Sequence, residues 1–380
     1  MPLSGMAAPL FHPTFGSRPA QIIGRDGEMQ EFLAGLEDPI GSRDRCTLFL
    51  GQRGMGKTAL LLELAERAAK NGFVVARVTA HEKMADAIIE QVQLNGSQYI
   101  HEDKHRVKGV SAGALGFSFG LTFSEATQRQ YGFRTKMSLL CDRLAEQGRG
   151  VLILIDEAQT SPAMREVASS YQELVGDGKN VAIGMAGLPH AISGVLNDHV
   201  LTFLNRARRV QLGPISKESI RAYFAHAFRI IGIESSGALL DRAAEGARGL
   251  PYLMQLLGYY IVRYTQDTKL LDSDAFNQAE NAALHDMEQN VFEPILTQLS
   301  NNDRLFLEAM SIDEGTTTIA TLQKRFGDSG PAIQPYRKRL IDAGVIESPR
   351  RGELVFAVPY LAEYLRTKCD SETVFSKGVI

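Results

Sequence analysis

A chain of 380 residues, 44% hydrophobic and 22% charged with a net charge of -3, can bury at least one sizeable core and divide into two or three domains. That balance excludes a strongly basic nucleic-acid coat or an acidic tail, so any nucleic-acid contact has to come from a local patch. Cys46, Cys141 and Cys369 form no Cys-x-x-Cys pair, which argues against a zinc module and for a reducing compartment. The start shows no basic region followed by an apolar run, and no later stretch is long and apolar enough for a bilayer; the expected location is cytoplasmic, without membrane contact.

In chain order, the first strong element is "CTLFL", residues 46–50, an apolar run suited to a buried parallel strand. It leads into "GQRGMGKTA", residues 51–59, and then an apolar pattern at helical spacing that stops at a glycine. A G-x-x-x-x-G-K-T pattern between strand and helix is a cradle for nucleotide phosphates. Gly51, Gly54 and Gly56 let backbone N–H groups turn inward, Lys57 reaches the terminal phosphates and Thr58 holds magnesium. The predicted binding set is Gln52, Arg53, Gly54, Met55, Gly56, Lys57, Thr58 and Ala59. The competing reading is a glycine-rich turn before a structural helix.

"GFVVARVTA" reads as a second strand. Further on, "ALGFSFGLTFS", residues 114–124, alternates large apolar with small residues, which predicts a one-sided strand with "RVKGVSA" as its hairpin partner in an insert spanning 104–124. Such a hairpin either packs on the domain or projects toward DNA or an adjacent subunit, helped by Lys104, Arg106 and Lys108. His101 and His105 could share a helical face, but no third metal ligand lies nearby.

"VLILIDEAQ", residues 151–159, is an apolar strand ending in two carboxylates. Asp156 suits the magnesium shell, and Glu157 is placed to orient and deprotonate the attacking water. Alone, the pair could equally be an acidic helix cap; beside the first motif the chemical reading prevails. "NVAIGMAGLP", residues 180–189, is a further strand, and the alternation of strands with helices predicts an α/β fold with a doubly wound parallel sheet.

Asp-Glu on a strand after a P-loop, with helices downstream, resembles the AAA+ superclass of ATPases. More closely the chain resembles the branch holding origin-recognition ATPases, transposition-accessory ATPases and STAND signalling NTPases. "QIIGRDGEMQEFLAGL", residues 21–36, is similar to that branch's entry helix beside the adenine, with Gly24, Arg25 and Asp26 in the matching positions. "ARGLPYLMQLLG", residues 247–258, resembles its lid motif, with Gly249 and Pro251 matching. The resemblance spans about residues 20–290 and implies ATP and Mg2+ as ligands, with Lys57 and Glu157 catalytic. Two departures imply slow turnover, a switch rather than a motor. Residues 184–187, Gly-Met-Ala-Gly, hold no polar group at the tip of the fourth strand, and the lid reads Gly-Leu-Pro where relatives place an arginine, with Arg248 adjacent. "LTFLNRARRVQLGPIS", residues 201–216, resembles the region that supplies an arginine finger to a neighbouring subunit; Arg206 matches best, then Arg208 and Arg209. If the finger is real the active form is a homo-oligomer; otherwise these residues are a basic loop before a strand.

The segments "KESIRAYFAHAFRIIG", "SGALLDRAAEGARG" and "PYLMQLLGYYIVRYT" are helical in pattern and read as the lid. Three more helical patterns follow, in "LSNNDRLFLEAMSID", "TIATLQKRFG" and "PAIQPYRKRLIDAGVIES", and then "RRGELVFAVP", a two-stranded wing with Gly352 near its turn. This succession resembles a winged helix domain. The expected organisation is an N-terminal arm (1–20), a P-loop core (21–213), a helical lid (214–290), a winged helix domain (291–367) and a tail (368–380). A winged helix that reads duplex DNA sets its third helix in the major groove and its wing along the backbone. The candidate DNA contacts are Arg337, Lys338 and Arg339 on that helix and Arg350 and Arg351 at the wing, with Lys324 and Arg325 on the second helix and Gln334 and Tyr336 near base edges. The alternative is a STAND-type switch whose nucleotide state controls assembly with protein partners, the winged helix serving as interaction module. The absence of a fixed-period repeat array favours the DNA-binding ATPase.

Overall fold

The computed structural model describes residues 10–13, 19–100, 117–119, 121–123, 128, 130–327 and 333–368. The chain separates into two compact units, one of residues 24–51 and 56–213, the other of residues 1–23, 52–55 and 214–380.

The first unit starts with α1 (Asp26–Glu37) and β1 (Cys46–Leu50), then α2 (Lys57–Lys70), β2 (Phe73–Thr79) and α3 (Met84–Gly96). A short antiparallel pair, β3 (Phe117–Phe119) and β4 (Thr122–Phe123), precedes α4 (Phe133–Ala145), β5 (Gly150–Asp156), α5 (Pro162–Gly176), β6 (Val181–Gly187), α6 (Pro189–Leu196) and β7 (Arg208–Gln211). Five strands form one sheet in the order β2-β5-β6-β1-β7, every pair parallel. Parallel strands covered on both faces must be apolar along their whole length. Accordingly all seven residues of β5 and all seven of β6 are buried. Helix α1 packs with α2, and α3, α4 and α5 form a second group.

Along the edge strand β2, side-chain amides engage part of the backbone that a further strand would otherwise pair. The amide of Gln91 donates to the Arg77 carbonyl and accepts from the Arg77 N–H, both at 2.8 Å, and Asn95 Nδ2 donates to the Val75 carbonyl at 2.8 Å.

The expected one-sided strand over 114–124 is corrected here. Phe117 pairs with Phe123 across a reversal between β3 and β4, so the alternating residues are their own hairpin partners. Leu121 and Phe123 are buried in the core of this unit. "RVKGVSA" and the His101 and His105 pair lie outside the described residues.

The second unit is mostly helical: α7 (Lys217–Ile231), β8 (Glu234–Ser235), α8 (Gly237–Gly246), α9 (Pro251–Tyr264), β9 (Leu270–Leu271) and α10 (Ser273–Met287), where β8 and β9 pair in parallel. A π turn at Glu288–Phe292 leads to α11 (Glu293–Thr297), α12 (Asn301–Ser311), β10 (Thr317–Thr318), α13 (Ile319–Phe326), α14 (Ile333–Asp342), β11 (Ile346–Glu347), β12 (Glu353–Phe356) and α15 (Leu361–Lys368). The last three strands form an antiparallel sheet in the order β10-β12-β11. Helix starts here follow side-chain capping: Ser216, Ser236, Asp272, Ser300 and Thr318 each accept a backbone N–H three residues on. Phe11 plugs the core of this unit, in ring contact with Tyr223, Phe224 and Phe228. A Cβ at position 258 would lie 2.1 Å from the Phe11 ring, so only glycine admits it. Tyr223 Oη donates to the Leu10 carbonyl at 2.7 Å, and the His12 N–H donates to Gln255 Oε1 at 2.8 Å, which fixes the segment around the ring. Among the described residues no helix is long and apolar enough to cross a membrane.

Candidate nucleotide site

The site grows from the carboxyl ends of β1 and β5. After β1 the chain must turn sharply into α2, and it does so through Gly54 (φ 78°) and Gly56 (φ 79°), left-handed conformations that glycine adopts without strain. Gly56 is the N-cap of α2 and offers no side chain to the first amides, unlike the serine, threonine and aspartate caps of the other unit. Those N–H groups are therefore left for an anion. Lys57 Nζ donates to the Gly51 carbonyl at 2.8 Å, curled back along the loop.

Asp156, at the end of β5, is 4% exposed. The Thr58 hydroxyl donates to Asp156 Oδ2 at 2.6 Å, and the Glu157 N–H donates to Asp156 Oδ1 at 2.9 Å, so both carboxylate oxygens are oriented. A threonine hydroxyl and a carboxylate at this separation are the hard oxygen donors that suit magnesium. The residues present therefore fit a magnesium nucleotide. Glu157 itself is exposed and holds φ 52°, a left-handed conformation rare for a residue with a Cβ. Such backbone strain clusters at functional positions.

The fold brings Lys57, Thr58, Asp156 and Glu157 together. Arg25 is buried, hydrogen-bonded to the Gly213 carbonyl and 3.4 Å from Glu28 Oε1, so it ties α1 to the end of the unit. Gly24 has φ 64° and starts that turn. Arg206 ends a short 3-10 stretch, Thr202–Arg206; it is exposed and has no partner among the described residues. Its neighbour Arg208 is engaged by Glu31 and by Asp44, and Arg209 donates to Asn205. Of the three arginines considered as a finger, Arg206 alone is unengaged. Beyond β6, whose tip carries no polar side chain, His190 in the first turn of α6 is the first polar residue.

In the other unit, Gln52–Met55 belongs to the same compact body as residues 214–380. A Cβ at Gly54 would lie 3.0 Å from Leu250 Cδ1, and Met55 is buried in that unit's core. Arg53 is exposed, and Pro251 opens α9. Gln52 Nε2 donates to Glu347 Oε1 at 2.6 Å, a contact across 295 positions that no local pattern in the sequence signals.

The basic residues of the C-terminal region fall into two sets. Arg325 forms a two-pronged pair with Asp313 and also donates to the Ala309 carbonyl. Arg339 pairs with Asp303 at 2.8 Å and lies over the Tyr336 ring, and Arg337 donates to Ser348 at 3.2 Å. Lys324, Lys338, Arg350 and Arg351 are exposed, and their side-chain cations have no partner among the described residues. Burial raises the Asp303 carboxyl, but hydrogen bonds from Arg339 and Ser300 outweigh it and hold the group below its usual range. The Arg325 hydrogen bonds lower Asp313 in the same way, against a smaller effect of burial.

Comparison with known proteins agrees with this geometry. Residues 21–177 match the family model of an AAA ATPase domain, and residues 289–365 match that of a domain of unknown function, DUF8462. No curated protein matches. Among solved structures, the chain is similar to the Walker-type ATPase PABY2304 of Pyrococcus abyssi, with a TM-score of 0.66 at 18% identity over 92% of this chain and 97% of that one. It is also similar to the ORC2 protein of Aeropyrum pernix, with a TM-score of 0.60 at 13% identity over 95% and 98% in the form with ADPNP and ADP, and a TM-score of 0.53 at 15% identity over 97% and 100% in the ADP form. Residues 21–177 thus match the model of an AAA ATPase domain, and the chain as a whole has the fold of these solved structures.

Proposed function

We propose that the chain binds ATP with magnesium, hydrolyses it slowly, and couples nucleotide state to self-assembly and to duplex DNA binding through its C-terminal region. The observation that carries the reading is the cluster of Lys57 on the Gly51 carbonyl, Thr58 on Asp156, and the exposed Glu157 that follows it. Lys57 exchanges the Gly51 carbonyl for phosphate oxygens, and the uncapped amides of α2 take the remaining negative charge. Thr58 and Asp156 are the residues that would hold magnesium, which would supply positive charge against the phosphates during phosphoryl transfer. Glu157 orients a water and accepts its proton as the oxygen attacks phosphorus; ADP departs and inorganic phosphate forms.

Arg206, exposed and unengaged, is the residue we assign as a finger to a neighbouring copy, and turnover of the isolated chain is slow without it. We read α12, α13 and α14 with the sheet β10-β12-β11 as a winged helix, with domain limits of 214–290 for the lid and 291–367 for the wing domain. Lys338, Arg350 and Arg351, with Lys324, are the cations free to meet phosphates there. Arg337 and Arg339 contribute from positions already held by Ser348 and Asp303.

The test is ATP turnover with and without duplex DNA at low salt, for the native chain, Glu157→Gln and Lys338→Ala/Arg350→Ala/Arg351→Ala. DNA stimulation that the triple change removes, with turnover lost in the carboxylate variant, supports the reading. Turnover indifferent to DNA, with no DNA binding at low salt, sinks it and directs attention to protein partners.

A further inference from the structure

Within the sheet unit, the chain between α6 and β7 carries Arg206 and is held more tightly than a connecting loop requires. Asp198 opens it with a side chain only 2% exposed. Its Oδ1 accepts the Val200 N–H at 2.9 Å and its Oδ2 accepts Arg165 Nε at 2.8 Å, so both carboxylate oxygens are engaged. A buried carboxylate is costly unless it is paired and hydrogen-bonded, and here both conditions are met. The same two donors, the Val200 N–H first, hold the Asp198 carboxyl below its ordinary value. Tight turns then follow one another: the Leu201 N–H donates to the Asp198 carbonyl, the Leu204 N–H to the Leu201 carbonyl and the Ala207 N–H to the Leu204 carbonyl, each at 3.0 Å. Leu201 and Leu204 are fully buried and anchor these turns in the core of the unit. At the far end Asn205 Nδ2 donates to the Leu196 carbonyl at 3.1 Å while its Oδ1 accepts from Arg209 at 3.2 Å, which ties the residue before Arg206 back to the end of α6. Arg206 and the apolar Val200 are exposed on this fixed loop.

We propose that Asp198 is a positioning residue for phosphoryl transfer: braced on Arg165, it fixes the turns that set where Arg206 is presented to the nucleotide of an adjacent copy. The physical reason is geometric. A guanidinium stabilises the transferring phosphoryl group only in contact with it, and a loose loop would spread the side chain over many placements that must be given up at the moment of reaction. The brace removes that freedom in advance. Arg165 lies in the first turn of α5, the helix that follows Glu157, so a copy's own water-orienting carboxylate and the finger it lends share one support. This inference rests on the reading of Arg206 as a finger between copies.

The experiment mixes two full-length variants, each verified as folded by circular dichroism. Glu157→Gln keeps the finger and lacks the carboxylate; Arg206→Ala keeps the carboxylate and lacks the finger. ATP turnover of the mixture above that of either variant alone supports the finger. Asp198→Ala is then added to one variant at a time. The brace predicts that kcat of the mixture falls about tenfold or more when Asp198→Ala is in the Glu157→Gln copy, with KM for ATP unchanged, and stays within about twofold when it is in the Arg206→Ala copy. A loss of equal size from either placement, or no loss from the first, overturns the brace and leaves the finger standing. A mixture no faster than its parts overturns the finger and the brace with it. If Asp198→Ala fails to fold, Asp198→Asn, which keeps the shape and an acceptor for the Val200 N–H but removes the charge facing Arg165, decides by the same two placements.

Discussion

The two units use charge in opposite ways. In the sheet unit the groups of the candidate site are bonded to one another: Lys57 to the loop carbonyl, Thr58 to Asp156, and Asp156 to the backbone that presents Glu157. In the C-terminal region the cations divide, with Arg325, Arg337 and Arg339 committed to internal partners while Lys324, Lys338, Arg350 and Arg351 stand free among the described residues. The comparison teaches that basic residues close in sequence need not share a role. A site that must accept one ligand geometry is held ready in advance, whereas a surface that meets a long anionic backbone needs only unpaired charges at the right places.

The sharpest way to break this contrast is Glu157→Gln, which should lower turnover about 10²- to 10⁴-fold while leaving nucleotide affinity within a small factor, as read by single-turnover kinetics and nucleotide titration. An equal loss of binding would show that Glu157 supports the loop instead of acting on water.

Next in size is Phe11→Ala. Emptying the space beside Gly258 should cost about 3–5 kcal/mol, seen as a lower unfolding midpoint in denaturant. A change below about 1 kcal/mol would mean that the N-terminal segment is dispensable for the helical unit.

The divided cations give the third prediction. Replacing Lys338, Arg350 and Arg351 by alanine should weaken duplex binding and reduce the salt dependence of log K by about 1 per residue removed, with the unfolding midpoint unmoved. Arg325→Ala should do the reverse, lowering stability through the loss of its Asp313 pair with little change in the salt slope. Identical outcomes from the two variants would erase the distinction.

The smallest effect is in pH. Asp303, Asp313 and Glu363 all have lowered folded-state values, so the folded chain binds fewer protons than the unfolded one as acid is added. Their stabilisation is complete above the unfolded carboxylate range, about pH 4, and declines as pH falls below it. Denaturant midpoints measured from pH 6 to pH 3 should drop, and Arg339→Ala, which frees Asp303, should flatten that drop.

The nucleotide elements were legible because their chemistry is local. A glycine-rich turn, a lysine and a threonine at fixed spacing, and two carboxylates after an apolar strand keep their meaning wherever the strands lie in the sheet. The helix patterns of the C-terminal region were equally readable, since each depends on a few neighbouring turns. The insert misled because alternation of period two is the same in a continuous strand and in a strand folded back on itself: Leu121 and Phe123 keep their apolar phase through the reversal. What could not be read was contact across long separations. Phe11 against Gly258, Glu347 against Gln52 and Arg25 against Gly213 depend on packing that no spacing encodes.

The amides of Gln91 and Asn95 along β2 have a consequence for how copies of the chain can meet. An exposed strand edge invites a foreign strand to extend the sheet, the first step toward irregular aggregates. With the Arg77 backbone engaged in both directions and the Val75 carbonyl also taken, a newcomer would have to displace three side-chain bonds before forming its own. A chain with leucine at positions 91 and 95 should clump in concentrated solution while the Lys57, Thr58 and Asp156 cluster remains intact.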